Sequence, residues 1–190
     1  MAIRRSLSAR PKFIMSIFKV LKKECLVDSE YMKVYKEQLE TSKGAIIDEY
    51  YTVKKKDCVV IVATSINEEI ICLNEYKYGA KEYLNTLPSG HIDNDEDPVT
   101  AGVRELREET GFEGGHAKYL GYIHEYASQD LNKVHIVYIS GAQKKTEPME
   151  DGTVDIVMKL IRSADLKKEI SEGGWKSSSS LAALTLAGVL

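Results

Sequence analysis

The amino-acid sequence predicts an α+β layered domain, and three observations lead to that fold class. Short apolar runs of strand-like pattern follow one another between residues 18 and 161. A helical period interrupts them once, between Asp97 and Gly111, and returns only near the end of the chain. No internal repeat or linker divides residues 17–190. A series of strands with one inserted helix and appended helices therefore indicates a single layered domain.

The predicted elements follow in order. Residues 1–16 are expected to be a flexible basic tail, because their three arginines and one lysine accompany no apolar period. Strands are predicted at residues 18–27, 45–53, 58–63, 70–76, 117–126, 134–140 and 154–161. Asp97 as N-cap, Pro98 in the first turn and Gly111 as C-cap delimit the inserted helix. Two helices are predicted at the end, one starting from the cap Ser163 and one over residues 179–190.

Composition sets limits on the class of protein. The 190 residues carry 26 Lys plus Arg against 29 Asp plus Glu, a formal charge of -3 that gives no reason to expect nucleic acid as partner. The apolar stretches at residues 13–18 and 181–190 are short of a signal peptide and of the roughly 20 residues of a membrane span. A cytoplasmic protein without a membrane partner is expected.

The three cysteines Cys25, Cys58 and Cys72 lie far apart in apolar, strand-like contexts. Neither CxxC spacing nor an even number of cysteines supports zinc or disulfides. Buried free thiols in a reducing compartment are expected. The four histidines show no mutual spacing that indicates zinc or a nucleophile–base pair.

The chemically informative segment is the inserted helix. Glu105, Glu108 and Glu109 stand at i, i+3 and i+4, so three carboxylates share one face and repel each other. A solvated acidic face is the plain alternative, but Arg104 lies four residues before Glu108 and can hold it in place. Oxygen-rich sites of this kind suit Mg²⁺ or Mn²⁺.

The segment from Gly90 to Phe112 resembles the Nudix box, G-x5-E-x7-R-E-U-x-E-E-x-G-U, where U is bulky and apolar. All seven fixed residues are present without a gap, with Leu106 and Phe112 at the apolar positions; the fixed residues are Gly90, Glu96, Arg104, Glu105, Glu108, Glu109 and Gly111. The resemblance implies a Nudix fold, a mixed β-sheet sandwiched between α-helices (α/β/α).

The resemblance also implies a site. Glu105 and Glu109 would be the main metal ligands and Glu108 an additional one, with the Ser89 carbonyl joining the coordination. Glu108, Glu109 and Arg104 would be catalytic, and Glu96 and Gly111 would support the box. Bound metal ions neutralise pyrophosphate oxygens and activate water.

The flanks resemble the ADP-ribose pyrophosphatase branch. Glu75-Tyr-Lys77-Tyr-Gly and Leu87-Pro-Ser-Gly90 are similar to its "QYRYPVG…ELPAG" stretch. The branch's arginine is Lys77 here, its glutamate is Thr86, and a proline found after the box in many members is missing. The resemblance implies that Lys77, Tyr78 and Gly90 bind substrate. It also implies that the strands of residues 17–54 build a two-fold homodimer.

The branch places its catalytic carboxylate in a loop before the last strand. The corresponding acidic residues are Glu150, the first choice for general base, and Asp151, the second. An ordinary acidic turn remains open for this loop.

The predicted function is metal-dependent cleavage of the pyrophosphate bond of a nucleoside diphosphate sugar, ADP-ribose above all, to AMP and ribose 5-phosphate. One alternative is a housekeeping hydrolase of nucleoside triphosphates or dinucleoside polyphosphates. Another is a sensor that binds a nucleotide without cutting it, although a sensor does not need the intact carboxylate cluster.

Overall fold

The structure, a computed structural model, describes residues 17–149 and 156–190. Its elements are β1 (Phe18–Asp28), β2 (Met32–Thr41), β3 (Ile46–Lys55), β4 (Cys58–Ser65), β5 (Glu69–Lys77), β6 (Glu82–Thr86), β7 (Ser89–His91), α1 (Pro98–Thr110), β8 (Phe112–Glu113), β9 (His116–Ile123), β10 (Val134–Lys144), β11 (Ile156–Arg162), α2 (Ser163–Ser171) and α3 (Ser178–Leu186). Among these residues no helix has the length and apolar character that a membrane crossing requires. The predicted tail of residues 1–16 lies outside the described residues.

The chain forms two compact units, one ending at Val53 and the other comprising Lys54–Leu190. The first unit contains a three-stranded sheet in the order β1-β2-β3. β1 and β2 are antiparallel, with Phe18 opposite Thr41. Every residue of β1 is exposed. The assignment of residues 17–190 to a single domain stays a prediction.

Strand β2 was missing from the sequence prediction. Four of its ten residues are lysines or glutamates, and they interrupt the apolar alternation that predicts a strand. The structure shows why the charges are tolerated: Lys23 of β1 pairs with Glu37 of β2 at 2.6 Å, and Lys19 pairs with Glu40 at 3.6 Å. Cross-strand pairs of opposite charge stabilise such a ribbon.

The expectation of three buried thiols was wrong for Cys25, which is exposed on β1. The cause is that the whole of β1 presents both faces to solvent within the isolated chain. Cys72 is buried, and burial raises the pKa of its thiol to about 12. Cys58 is half-buried, and burial raises the pKa of its thiol to about 11. All three cysteines are free of disulfides.

The second unit is built on a mixed sheet in the order β11-β5-β4-β10-β8, with β6 on β5, β7 on β4 and β9 on β10. β4 and β10 run parallel, with Cys58 opposite Val134, while the other assigned pairs are antiparallel. This parallel pair lies at the centre of the sheet and is covered on both faces, as parallel strands require.

Alternate residues of β4 point to opposite faces of this sheet. Val59 and Ile61 pack with Ala101 and Leu106 of α1. Val60 and Val62 pack on the other face, against a group from α2, α3 and their connection that consists of Leu166, Trp175, Ala183 and Leu184. A mixed sheet between helices is therefore confirmed.

Several predicted boundaries were wrong, among them those of β9, α2 and α3. β9 ends at Ile123 instead of residue 126, where His124 Nδ1 contacts the Asn132 carbonyl at 3.0 Å and begins a loop. Arg162, not Ser163, is the N-cap of α2. α3 ends at Leu186, because Gly188 adopts φ 72°. There Gly188 N–H donates to Thr185 O, and the following N–H donates to Leu184 O, which closes the helix.

Candidate active site

Helix α1 has the termini that the sequence predicted. The Asp97 side chain accepts hydrogen bonds from the backbone N–H groups of Val99 (2.9 Å) and Thr100 (3.2 Å), and Pro98 is the first helical residue. At the other end Gly111 is left-handed at φ 70° and donates its N–H to Arg107 O. These two caps fix the helix that carries the three glutamates.

Arg104 connects the carboxylates of the cluster. Its guanidinium donates to Glu96 through Nε (3.0 Å) and Nη2 (2.9 Å), a bidentate pair. Nη1 donates to Glu105 at 2.8 Å and to Glu108 at 3.1 Å, and Nη2 also donates to the His91 carbonyl at 3.0 Å. The hydrogen bonds from Arg104 hold the pKa of Glu96 below its ordinary value. Arg104 therefore fixes the loop before α1 to the acidic face of the helix.

The carboxylates of Glu105 and Glu109 pack against the backbone of β7. The Ser89 N–H donates to Glu109 Oε2 at 2.8 Å. A Cβ atom on Gly90 would lie 2.0 Å from Cδ of Glu105, so only glycine leaves room for that carboxylate. Burial raises the pKa of Glu105 above its ordinary value, and burial raises the pKa of Glu109 to about 7 in the protein without metal.

A fifth acidic residue, Glu75, lies beside this cluster, although the sequence analysis had not identified it. Its Oε1 accepts hydrogen bonds from Thr86 Oγ1 at 2.8 Å and forms an ion pair with Lys77 Nζ at 2.6 Å. The charge of Glu75 raises the pKa of Glu109, and the charge of Lys77 lowers it. The available signal was the motif Glu75-Tyr-Lys77, in which a carboxylate and a cation are two residues apart on one strand face.

The loop after β10 is tied to the end of α1. The Gly111 carbonyl accepts from the N–H groups of Lys145 (2.9 Å) and Thr146 (3.2 Å), and a Cβ on Gly111 would lie 1.9 Å from the Thr146 oxygen. Met149 donates its N–H to the Glu108 carbonyl at 2.7 Å. Glu150 and Asp151, the two predicted bases, lie outside the described residues, directly after this attachment point.

Three aromatic side chains have surroundings other than the cluster. Tyr78, a predicted substrate contact, is 82% exposed at the end of β5. Trp175 is buried and packs with α2 and α3, and its Nε1 donates to Glu169 at 3.4 Å. His135 contacts the hydroxyl of Tyr119 through Nδ1 at 2.9 Å, on the far side of β10 from β4.

The cluster offers a divalent cation oxygen ligands only. Among residues 17–149 and 156–190, no three His, Cys, Asp or Glu side chains are arranged as a complete metal cage, since Arg104 engages Glu105 and Glu108 while Glu109 bonds to Ser89. The desolvated carboxylates of Glu105 and Glu109 nevertheless fit a hard cation, because its charge would offset the cost of ionising them there.

The profile described as NUDIX domain matches residues 54–178, which is more than half of the chain. The chain belongs to the Nudix family. This Nudix protein is a hydrolase, and the box that its sequence displays forms the loop–helix segment around α1.

Curated Nudix relatives are distant. The chain is 23% identical to "Methanol dehydrogenase activator" of Bacillus methanolicus over 73% of its own length and 76% of that protein. It is 24% identical to "ADP-ribose pyrophosphatase" of Bacillus subtilis (strain 168), over 78% of its own length and 85% of that protein. It is also 24% identical to "CMP-5'-(N-acetyl-N-hydroxy-3-aminopropyl)phosphonate hydrolase" of Streptomyces rubellomurinus, over 65% of its own length and 59% of that protein.

The solved structure "Crystal structure of ADP compounds hydrolase" matches with a TM-score of 0.75 at 24% identity, over 90% of this chain and 92% of that one. A match of that quality across nearly the whole chain confirms the Nudix fold.

Proposed function

We propose that this Nudix hydrolase cleaves the pyrophosphate bond of a nucleoside diphosphate sugar, with ADP-ribose as the preferred substrate and AMP and ribose 5-phosphate as products. The observation that carries the proposal is the packing of Glu105 and Glu109 against the Ser89–Gly90 backbone beside Lys77. The similarity to a protein named ADP-ribose pyrophosphatase, over most of both chains, supports the choice of substrate.

Glu105, Glu108, Glu109 and the Ser89 carbonyl would hold the cation, Mg²⁺ or Mn²⁺. When bound, such a cation neutralises pyrophosphate oxygens and lowers the pKa of a water molecule. Arg104 keeps Glu105 and Glu108 on one side of the helix through the hydrogen bonds from Nη1. Gly90 gives the Glu105 carboxylate its place by having no side chain.

Lys77 brings positive charge to the substrate's phosphates. Its Nζ is held by Glu75, which Thr86 fixes in turn, and a held ammonium loses less conformational freedom when it binds an anion. A general base must then take a proton from the attacking water. We assign that role to Glu150, with Asp151 as the second candidate, because Met149 next to them is bonded to the Glu108 carbonyl.

A substrate panel tests the proposal. Purified protein would be incubated with ADP-ribose, other nucleoside diphosphate sugars, nucleoside triphosphates and dinucleoside polyphosphates, in Mg²⁺, Mn²⁺ or excess chelator. We expect AMP and ribose 5-phosphate from ADP-ribose and no turnover in chelator. Release of pyrophosphate from a triphosphate at higher kcat/KM would favour the housekeeping alternative, and binding without turnover of any compound would favour a sensor.

We also propose a homodimer formed by the N-terminal strands. β1 exposes apolar side chains that an isolated chain has no reason to present to water, among them Phe18, Val20 and Leu21. Light scattering at micromolar concentration should give twice the mass of the chain. Leu21→Glu would place a charge on this surface and should shift the mass toward a monomer, whereas Glu24→Gln on the same strand should not.

A further inference from the structure

A cavity of about 380 Å³ opens beside Ser89, between β4, the segment from β6 to β7 and the start of α3. Small-molecule sites usually measure roughly 300–1,000 Å³ and combine an apolar lining with a few convergent polar groups. The floor here is apolar and consists of Val60, Leu84 and Leu87, all less than a tenth exposed. The volume lies within this range, and the floor is apolar.

The rim of the cavity carries opposite charges. Lys77 stands at one side, with its ammonium group held by Glu75. Lys176 stands at the start of α3, and its ion pair with Glu82 joins two side chains that are 50% and 42% exposed. A pair so exposed is weak, so Lys176 can exchange Glu82 for a ligand at small cost.

Two further polar groups on the rim have no partner within the described part of the chain. The carboxylate of Glu125 makes no hydrogen bond or ion pair there, and neither does the hydroxyl of Ser178. Its neighbour Ser177, by contrast, is engaged with the N–H of Ser180 and the hydroxyl of Ser179. The cavity thus offers an ammonium, a carboxylate and a hydroxyl group that are all available to a ligand.

The cavity also touches the reacting centre, because Ser89 lines it and donates its N–H to Glu109. The cavity therefore lies within reach of one half of a substrate that is cleaved beside Glu109. A nucleobase would call for an aromatic stacking partner, and no aromatic side chain among the described residues lines this cavity. Hydroxyl groups of a sugar, in contrast, need the mixture of donors and acceptors present here.

We propose that this cavity binds the sugar phosphate half of the substrate, the half released as ribose 5-phosphate, with Lys176 and Glu125 contacting its hydroxyl groups. The assignment rests on the proposed cleavage of a nucleoside diphosphate sugar. It makes Lys176 and Glu125 determinants of sugar specificity and leaves the nucleoside on the other side of the metal-binding carboxylates.

The test compares the two products as ligands of the full-length protein. Binding of ribose 5-phosphate and of AMP would be measured by calorimetry, and both would be measured as inhibitors of ADP-ribose hydrolysis. Lys176→Ala and Glu125→Gln should each weaken the binding of ribose 5-phosphate about tenfold, the effect of losing a hydrogen bond to a charged group. KM for ADP-ribose should rise, and the inhibition constant of AMP should stay within about twofold.

Two controls isolate the effect. Lys167→Ala removes an exposed lysine of α2 that does not line the cavity, and Glu82→Gln removes the partner of Lys176 while keeping its ammonium; both should retain ribose 5-phosphate binding. The proposal is overturned if wild-type protein shows no saturable binding of ribose 5-phosphate, if the cavity variants bind it normally, or if they weaken AMP instead. Calorimetry measures binding without turnover. A protein that binds ribose 5-phosphate through Lys176 but does not hydrolyse ADP-ribose would therefore contradict only the proposed function.

Discussion

The Ser89 N–H and the Glu109 carboxylate are joined by a hydrogen bond of 2.8 Å, which ties β7 to the third glutamate of α1. This bond favours the ionised form of Glu109, yet burial outweighs it and raises the pKa to about 7. Burial therefore favours the protonated form of Glu109. The backbone positions this carboxylate, and burial raises the free energy of its charged form. A bound cation would lower that free energy.

The first prediction concerns Glu109→Gln. The amide can still accept the Ser89 hydrogen bond, but it cannot supply negative charge to a cation. We expect turnover to fall by roughly 10²-fold or more, with a metal-free melting temperature at pH 8 equal to or above wild type. Thermal unfolding monitored by circular dichroism, together with an activity assay in Mg²⁺, checks both parts. Wild-type turnover in this variant would contradict the role of Glu109.

The second prediction concerns pH. Since the folded-state pKa of Glu109 is raised to about 7, the folded protein retains a proton that the unfolded chain loses near pH 4.5, the ordinary glutamate value. Metal-free stability should therefore fall as pH rises from about 4.5 to above 7. Metal binding should release this proton, so that Mg²⁺ affinity increases with pH up to about 7. Calorimetry in buffers of different ionisation enthalpy would count the protons, and Glu109→Gln should abolish the release.

A third prediction uses a pair of glycines. In Gly90→Ala the new Cβ would meet the Glu105 carboxylate at 2.0 Å, whereas in Gly79→Ala nothing lies within 4 Å. The displaced group is the end of a flexible side chain, so Gly90→Ala should fold but hold its carboxylate in the wrong place. We expect a loss of turnover of about 10²-fold for Gly90→Ala and none for Gly79→Ala. Equal activity of the two variants would show that the Glu105 position does not matter.

The fourth prediction concerns Arg104→Lys. A single ammonium cannot reproduce the bidentate bond to Glu96 together with the bonds to Glu105, Glu108 and the His91 carbonyl. We expect a loss of about 1–3 kcal/mol of unfolding free energy, and turnover should fall in parallel. Urea denaturation measures the first effect. Arg107→Lys, on the exposed side of the same helix, is the control and should be close to neutral.

The fifth prediction separates the two candidate bases. Glu150→Gln should lower kcat by roughly 10²–10⁴-fold, the usual contribution of a general base, while Mg²⁺ affinity stays at the wild-type value. Asp151→Asn should have a much smaller effect. If the larger loss falls on Asp151→Asn, the assignment is reversed. If neither variant loses activity, the base lies elsewhere and the acidic turn is an ordinary one.

Sequence by itself determined the helix that carries the three glutamates. The residues that cap it, Asp97 and Gly111, act through local hydrogen bonds, and the spacing of Glu105, Glu108 and Glu109 fixes their common face whatever surrounds the helix. Local rules also revealed most strands of the central sheet. They failed at β2, where cross-strand ion pairs replace apolar alternation, and at the end of α3, where Gly188 closes the helix earlier than the apolar run suggests.

Only the tertiary structure decided how the helix meets its surroundings. The raised pKa of Glu109 arises from burial, which outweighs the opposing hydrogen bond from Ser89, and burial has no local signal in the sequence. The bond from Thr86 to Glu75 joins two strands whose pairing the sequence did not specify. The cavity beside Ser89 likewise exists only because α3 packs near β7, which brings Lys176 and Lys77 to the same opening. Local patterns fix the identity and spacing of charged groups, whereas desolvation and long-range neighbours, which set their energies, depend on the packed chain.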